Sequence, residues 1–193
     1  MEEVVIHLLI YDLFTNLRRK NEIMKISDIA FNKIKEFEGL RTEAYLDAAG
    51  VLTIGYGHTG SDVREGDRIS EYYAGELLRE DVEKVEREVE RLQVARTQGQ
   101  LDALVSLAMN IGAARLRKSR LVRVLRRGGS YREIKAEFKR WVFAGGRRLP
   151  GLVKRRQWEA ERFFEAGRGR GEEQGGAAMQ SRRKKRDAMD EGK

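Results

Sequence analysis

The sequence predicts an α+β domain, mainly helical and two-lobed, with one small antiparallel β-hairpin. Six segments carry apolar residues at helical spacing, and most of them open with a Ser or Thr suited to a cap. One pair of short β-branched and aromatic runs flanks Ala48-Ala49-Gly50. A length of 193 residues with 40% apolar content is enough for one good core and little more.

The first helix is capped by Ser27, places Ile29, Ala30, Ile34 and Phe37 at helical spacing, and stops at Gly39, which makes Glu38 its last residue. Ala44 to Asp47 and Val51 to Tyr56 then form the hairpin. Gly55 and Gly57 bracket Tyr56, the pattern of a bulge or a close backbone approach. Ser70 caps a long helix reaching about Gln93, with Leu77, Leu78, Val82, Val85, Val89 and Leu92 on one stripe and charges opposite. Thr97 with Gln100 reads as a capping box for a helix from Gln98 to Asn110, apolar on nearly every side and therefore central. Ser119 caps a short helix that ends at Gly128, and Ser130 with Glu133 makes a second capping box for a helix to Trp141. A glycine-rich loop, Ala144 to Pro150, leads into a last helix from Gly151 to Phe164. Helices on one side and a lone hairpin on the other leave a groove suited to an extended ligand.

Three regions follow: an extension over 1–23, which reads as lying upstream of the true start because Met24 directly precedes the first capped helix; a domain over 24–166; and a basic tail over 167–193. The apolar stretch Val4 to Ile10 is short, is interrupted by His7 and has no basic region before it, so neither a signal peptide nor a membrane span is expected. The tail ends in Arg182-Arg183-Lys184-Lys185-Arg186 and is too polar to offset its ordering entropy, which predicts disorder. With no cysteine there are no disulfides or thiolate metal sites, and with two histidines a zinc amidase is excluded. The formal charge of +8 favours anionic partners: nucleic acid, a membrane surface or anionic polymers of a bacterial envelope.

Cleavage of a glycosidic bond requires one carboxylic acid to protonate the departing oxygen and a second carboxylate to activate water or stabilise the sugar cation. Glu38 at a helix end, Asp47 at the end of the first strand and Thr53 on the second can converge across a short loop. The spacing alone is weak evidence and fits ordinary surface carboxylates better. Phe37-Glu38-Gly39-Leu40-Arg41, Ala44-Tyr45-Leu46-Asp47 and Gly50-Val51-Leu52-Thr53-Ile54-Gly55-Tyr56-Gly57-His58-Thr59, however, closely resemble the active-site segment of phage-type lysozymes, the glycoside hydrolase family of T4 lysozyme and related endolysins. Two further blocks resemble the same family, Leu101 to Gly112 and Arg140 to Arg156, so the likeness runs from about Met24 to Ala166.

The resemblance implies an N-acetylmuramidase that hydrolyses the β-1,4 bond between N-acetylmuramic acid and N-acetylglucosamine of peptidoglycan, without metal or organic cofactor. Glu38 would be the general acid, and Asp47 with Thr53 would hold the attacking water. Inversion follows if the two carboxyl groups stand about 6.5–9.5 Å apart, and retention remains open if they are closer. Tyr45, Tyr56 and Asn110 are the candidates for lining the saccharide groove, and core packing is the competing role for the aromatics. His58 reads as a structural histidine paired with a carboxylate. Arg155 or Arg156 could reach the acid near Glu38, with surface solvation the default, and Trp141, Phe143 and Trp158 are expected in the core. A lytic transglycosylase, a non-catalytic wall-binding module and a nucleic-acid binder are the rivals; intact Asp47 and Thr53 disfavour the first two, and no nucleic-acid motif supports the third. By family analogy the expected setting is a monomer in the bacterial host cytoplasm, released to the wall by a separate membrane-permeabilising partner.

Overall fold

The computed structural model describes residues 24–165. The extension over 1–23 and the tail over 167–193 lie outside the described residues. Seven helices and two small hairpins make up the described chain: α1 (Asp28–Glu38), β1 (Arg41–Leu46), β2 (Leu52–Gly55), α2 (Glu71–Glu90), α3 (Gln98–Ile111), α4 (Ala113–Lys118), α5 (Arg120–Arg126), α6 (Tyr131–Phe138), β3 (Phe143–Ala144), β4 (Arg147–Arg148) and α7 (Pro150–Phe163).

The helix starts follow their side chains. Ser27, Ser70, Ser119 and Ser130 each accept a bond from a backbone N–H in the first turn, and Ser130 and Glu133 form the reciprocal box. The box expected at Thr97 is only half formed. Thr97 Oγ1 accepts from Gln100 N at 3.3 Å, but the Gln100 side chain reaches past Thr97 to the N–H of Arg96 at 2.7 Å. The glycine-rich loop also departs from expectation: β3 and β4 pair within it, with Gly145 and Gly146 at positive φ supplying the tight reversal. The helix α4 was not foreseen. It starts directly after the Gly112 cap and buries a single residue, Leu116, too weak an apolar pattern to be read along the chain.

Two apolar clusters define two lobes. The larger is built on α3, where Leu101, Ala103, Leu104, Val105, Leu107 and Ala108 are at most 2% exposed. The helices α7 and α2 pack against it, and Phe138 and Leu121 close it from α6 and α5. Each such leucine contributes about 1.5–3 kcal/mol through burial. Gly99 is what lets α7 approach so closely: a Cβ there would lie 2.3 Å from the backbone oxygen of Arg162. The smaller cluster, Ile54, Val63 and Leu77, lies under the hairpin. Neighbouring residues of α2 face different clusters, Leu77 the small one and Leu78 the large one, so α2 joins the lobes.

Buried ionic groups tie these parts together. Asp102, fully buried in α3, accepts from Ser27 N (2.9 Å), Ser27 Oγ (2.7 Å) and Arg162 Nη2 (2.6 Å), which fastens the start of α1 and the end of α7 to the central helix. His58 is 6% exposed, with Nδ1 2.6 Å from Asp81 and Nε2 3.1 Å from Asp62, the structural pairing its sequence context suggested. Three expected core residues are not in the core: Trp158 is half-buried and meets Phe37 edge-on outside both clusters, and the other two are mostly exposed. Ile29 and Phe143 are each 61% exposed, because α1 turns Phe31 inward instead and the β3–β4 hairpin projects from the helical lobe.

Candidate active site

Glu38 is the last residue of α1, and Gly39 at φ 72° ends the helix there. The chain enters β1 two residues later, so the helix end and the hairpin are held together by connectivity. The hairpin is antiparallel, with Tyr45 opposite Thr53 and Leu46 opposite Leu52. Directly opposed residues share one face of a sheet, and the ladder continues through Asp47 N donating to Val51 O at 2.9 Å. Alternation therefore carries Asp47, two residues beyond Tyr45, to the face of Tyr45 and Thr53.

Each of the three polar groups is locally fixed. Asp47 Oδ1 accepts from the N–H groups of Ala49 and Val51, both at 2.8 Å, which closes the turn around the carboxylate. Oδ2 has no protein partner among the described residues. Thr53 is 3% exposed and its hydroxyl donates to Val51 O at 2.9 Å, leaving the oxygen lone pairs to accept. Glu38 Oε1 accepts from Arg155 Nη1 at 2.7 Å, and 24% of its side chain remains exposed.

Arg155 is the residue that sequence reasoning weighed wrongly. It is 3% exposed rather than solvated, and it is shared among Glu38, the carbonyl of Ser106 (Nη2, 2.7 Å) and Glu159 (Nε, 3.3 Å), with Phe37 against its guanidinium. Arg156, 1% exposed, donates from Nη2 to Glu159 Oε1 at 2.8 Å and from Nη1 to Asn110 Oδ1 at 3.1 Å. Its Nε lies 2.7 Å from Glu159 Oε2, close enough for charge pairing but out of line for a hydrogen bond. Ser106 Oγ donates to Glu159 Oε1 at 2.8 Å. The result is a chain of alternating charge, Glu38–Arg155–Glu159–Arg156, running from the end of α1 to Asn110.

Glu159 and Ser106 were missed altogether. The available signal was spacing: Arg155 and Arg156 stand four and three residues before Glu159, on one face of a helix. Burial pushes the Glu159 carboxyl above the usual range, against the pull of both guanidiniums and the Ser106 hydroxyl. Burial likewise pushes Arg156 down, opposed by Glu159, and an arginine stays cationic at neutral pH regardless.

The three groove candidates part company. Asn110 is exposed at the end of α3, its amide oriented by Arg156. Tyr45 is half-buried, with the Arg41 guanidinium 4.6 Å from its ring centre. Tyr56 is a correction: it is 7% exposed and belongs to the large core cluster, with its hydroxyl 3.4 Å from Glu71. The Gly55 and Gly57 backbones, both at positive φ, fold the chain tightly through the Ile54–His58 bridge around it.

The chain is similar to known proteins in sequence and in fold. The family described as phage lysozyme matches residues 35–159. The endolysin of Bacillus phage B103 is 46% identical over 144 residues, 73% of this chain and 54% of that protein, so the chain spans about half the length of that relative. The endolysin of Acyrthosiphon pisum secondary endosymbiont phage 1 is 42% identical over 148 residues, 74% of this chain and 100% of that one. Among solved structures, the muramidase domain of SpmX from Asticaccaulis excentricus superposes with a TM-score of 0.67 at 36% identity, covering 72% of this chain and 97% of that one. The match takes in the helix end, the hairpin and the arginine-bearing last helix alike, and on that ground the chain belongs to the phage lysozyme family.

Proposed function

We propose that this protein is a muramidase that hydrolyses the β-1,4 bond between N-acetylmuramic acid and N-acetylglucosamine in peptidoglycan, with Glu38 as the proton donor. The observation that carries this reading is the anchoring of Glu38. A buried arginine held by Glu159 and Ser106 fixes one carboxylate oxygen, while part of the group stays open to a ligand. Such fixation orients an acid toward one position in a bound substrate.

Asp47 and Thr53 supply the other half. A water that donates one hydrogen to Asp47 Oδ2 and the other to Thr53 Oγ1 keeps a lone pair free for the anomeric carbon. Glu38 protonates the leaving oxygen as that bond breaks, and the water's proton passes to Asp47. Asn110 and Tyr45 line the groove in this reading. The substrate is the glycan strand of the wall, reached through a separate membrane-permeabilising partner as in phage lysis. Among the described residues no helix is long and apolar enough to cross a membrane.

The test is Glu38→Gln. Removing the acid is expected to cut the clearing of a cell-wall suspension by about 10²–10⁴-fold with an unchanged circular dichroism spectrum. Wild-type digests analysed by mass spectrometry are expected to carry reducing-end muramic acid. Undiminished clearing by the variant removes Glu38 from its role, and an anhydro-muramic product replaces hydrolysis by transglycosylation.

A further inference from the structure

Charge falls on this chain in two blocks. Residues 103–158 hold sixteen lysines and arginines against two acids, Glu133 and Glu137, whereas residues 24–102 hold eleven cations against seventeen acids. Folding gathers the positive block on the helical lobe, and its densest part is α4 with α5. Between Asp102 and Glu133 there is no acidic residue at all.

These two short helices bury Leu116, Leu121, Val122 and Val124 and turn their cations to solvent. Arg120 pairs with Glu137 at 3.3 Å, and Arg127 pairs with Glu133. Arg117, Lys118, Arg123 and Arg126 are exposed and make no ion pair with any described residue. Like charges this close repel one another, and the repulsion is relieved when a polyanion replaces small counter-ions. The patch also reaches the rim of the candidate active site. Gly112 alone separates α3, which carries Asn110, from α4, and Arg115 lies 5.4 Å from the ring centre of Trp141, whose carbonyl accepts from Arg156.

What the patch lacks narrows the partner. No large apolar side chain is exposed from Ala113 to Ser130, so nothing is offered for insertion among acyl chains, and that stretch carries no aromatic; the nearby Trp141 ring already has the Arg115 guanidinium against it. The face suits a hydrated, flexible chain of negative charges held by charge alone.

We propose that the face formed by α4 and α5 docks a linear phosphodiester polymer of the kind carried on bacterial wall glycan, holding the protein beside the strands it cuts. The choice of polymer rests on the muramidase reading; the existence of a polyanion surface does not.

The test compares the full chain with a variant carrying Arg117→Gln, Lys118→Gln, Arg123→Gln and Arg126→Gln, by calorimetric titration with soluble poly(glycerol phosphate) at low ionic strength. Wild type is expected to bind, with affinity falling as salt is raised and falling at least about tenfold in the variant. A second variant, Arg117→Lys with Arg123→Lys and Arg126→Lys, keeps the charge and is expected to bind as wild type does, which separates lost charge from lost structure. Absence of wild-type binding overturns the proposal, as does binding that the four glutamines leave unchanged. It is equally overturned if the four substitutions weaken binding to phosphatidylglycerol vesicles or duplex DNA but not to the polymer. The polymer is bound rather than cut, so this outcome stands apart from that of Glu38→Gln.

Discussion

Replacing Glu159 by glutamine removes one charge and almost no volume from the middle of the arginine cluster, and its cost can be worked from the contacts. Glu159 is fully buried, and its Oε1 accepts from Ser106 Oγ at 2.8 Å, Arg156 Nη2 at 2.8 Å and Arg155 Nε at 3.3 Å. An amide keeps one accepting oxygen but turns an NH2 group toward guanidiniums, which have donors only. Breaking one member out of a buried ionic cluster costs about 3–5 kcal/mol, because the remaining charges stay buried without compensation. For a unit of roughly 140 residues that lowers Tm by about 10–15 °C, read by circular dichroism at neutral pH and checked by the urea midpoint. Two forces compete here: burial favours a protonated Glu159, and the two arginines favour the carboxylate. If burial prevailed, glutamine would mimic the native state and Tm would move by less than about 3 °C. That result would refute the charge-cluster account and, with it, the anchoring of Glu38 through Arg155.

Two titratable groups, one in the hairpin lobe and one on the long helix, give pH-dependent expectations. Burial pulls the His58 imidazole down, but its bonds to Asp81 and Asp62 outweigh that and hold it above its ordinary 6.5. Its stabilising contribution is therefore full below pH 6.5 and is lost as pH rises through the raised value. Asp81→Asn is expected to cost about 1–2 kcal/mol at pH 6 and clearly less at pH 9, and thermal melts showing equal losses at both would contradict it. Glu86 is 7% exposed and accepts from Ile26 N at 2.5 Å, and burial pushes its carboxyl above the ordinary 4.5. The stability it contributes is present below that value and declines as pH rises through the shifted one. Glu86→Gln keeps the acceptor and cannot ionise, so the Tm of the variant relative to wild type should rise between pH 4 and pH 8. A constant difference across that range would exclude an ionisation cost at this position.

Much of the architecture was legible because its signals are local. The caps at Ser27, Ser70, Ser119 and Ser130 act on backbone groups within one turn, so a residue and its neighbours three or four places on suffice to place a helix start. The hairpin follows from two β-prone runs and a turn, and it pairs as that pattern predicts, with Thr53 opposite Tyr45. Exposure was read less well. Ile29 and Phe143 fit an apolar pattern yet face solvent, because a pattern states which residues could be covered and not whether another element arrives to cover them.

The sequence by itself determined where the Ser- and Thr-capped helices begin, the hairpin that carries Thr53, the end of α1 at Glu38 and the strongly basic second half of the chain. Only the tertiary structure decided that Arg155, 117 residues away from Glu38, is its partner, that Glu159 and Ser106 hold that arginine, and that Tyr56 packs inward. The physical reason is range. Caps and turns are set by hydrogen bonds within a few residues, whereas a buried arginine acquires its partners only when α7 docks on α3 and takes its charge out of water.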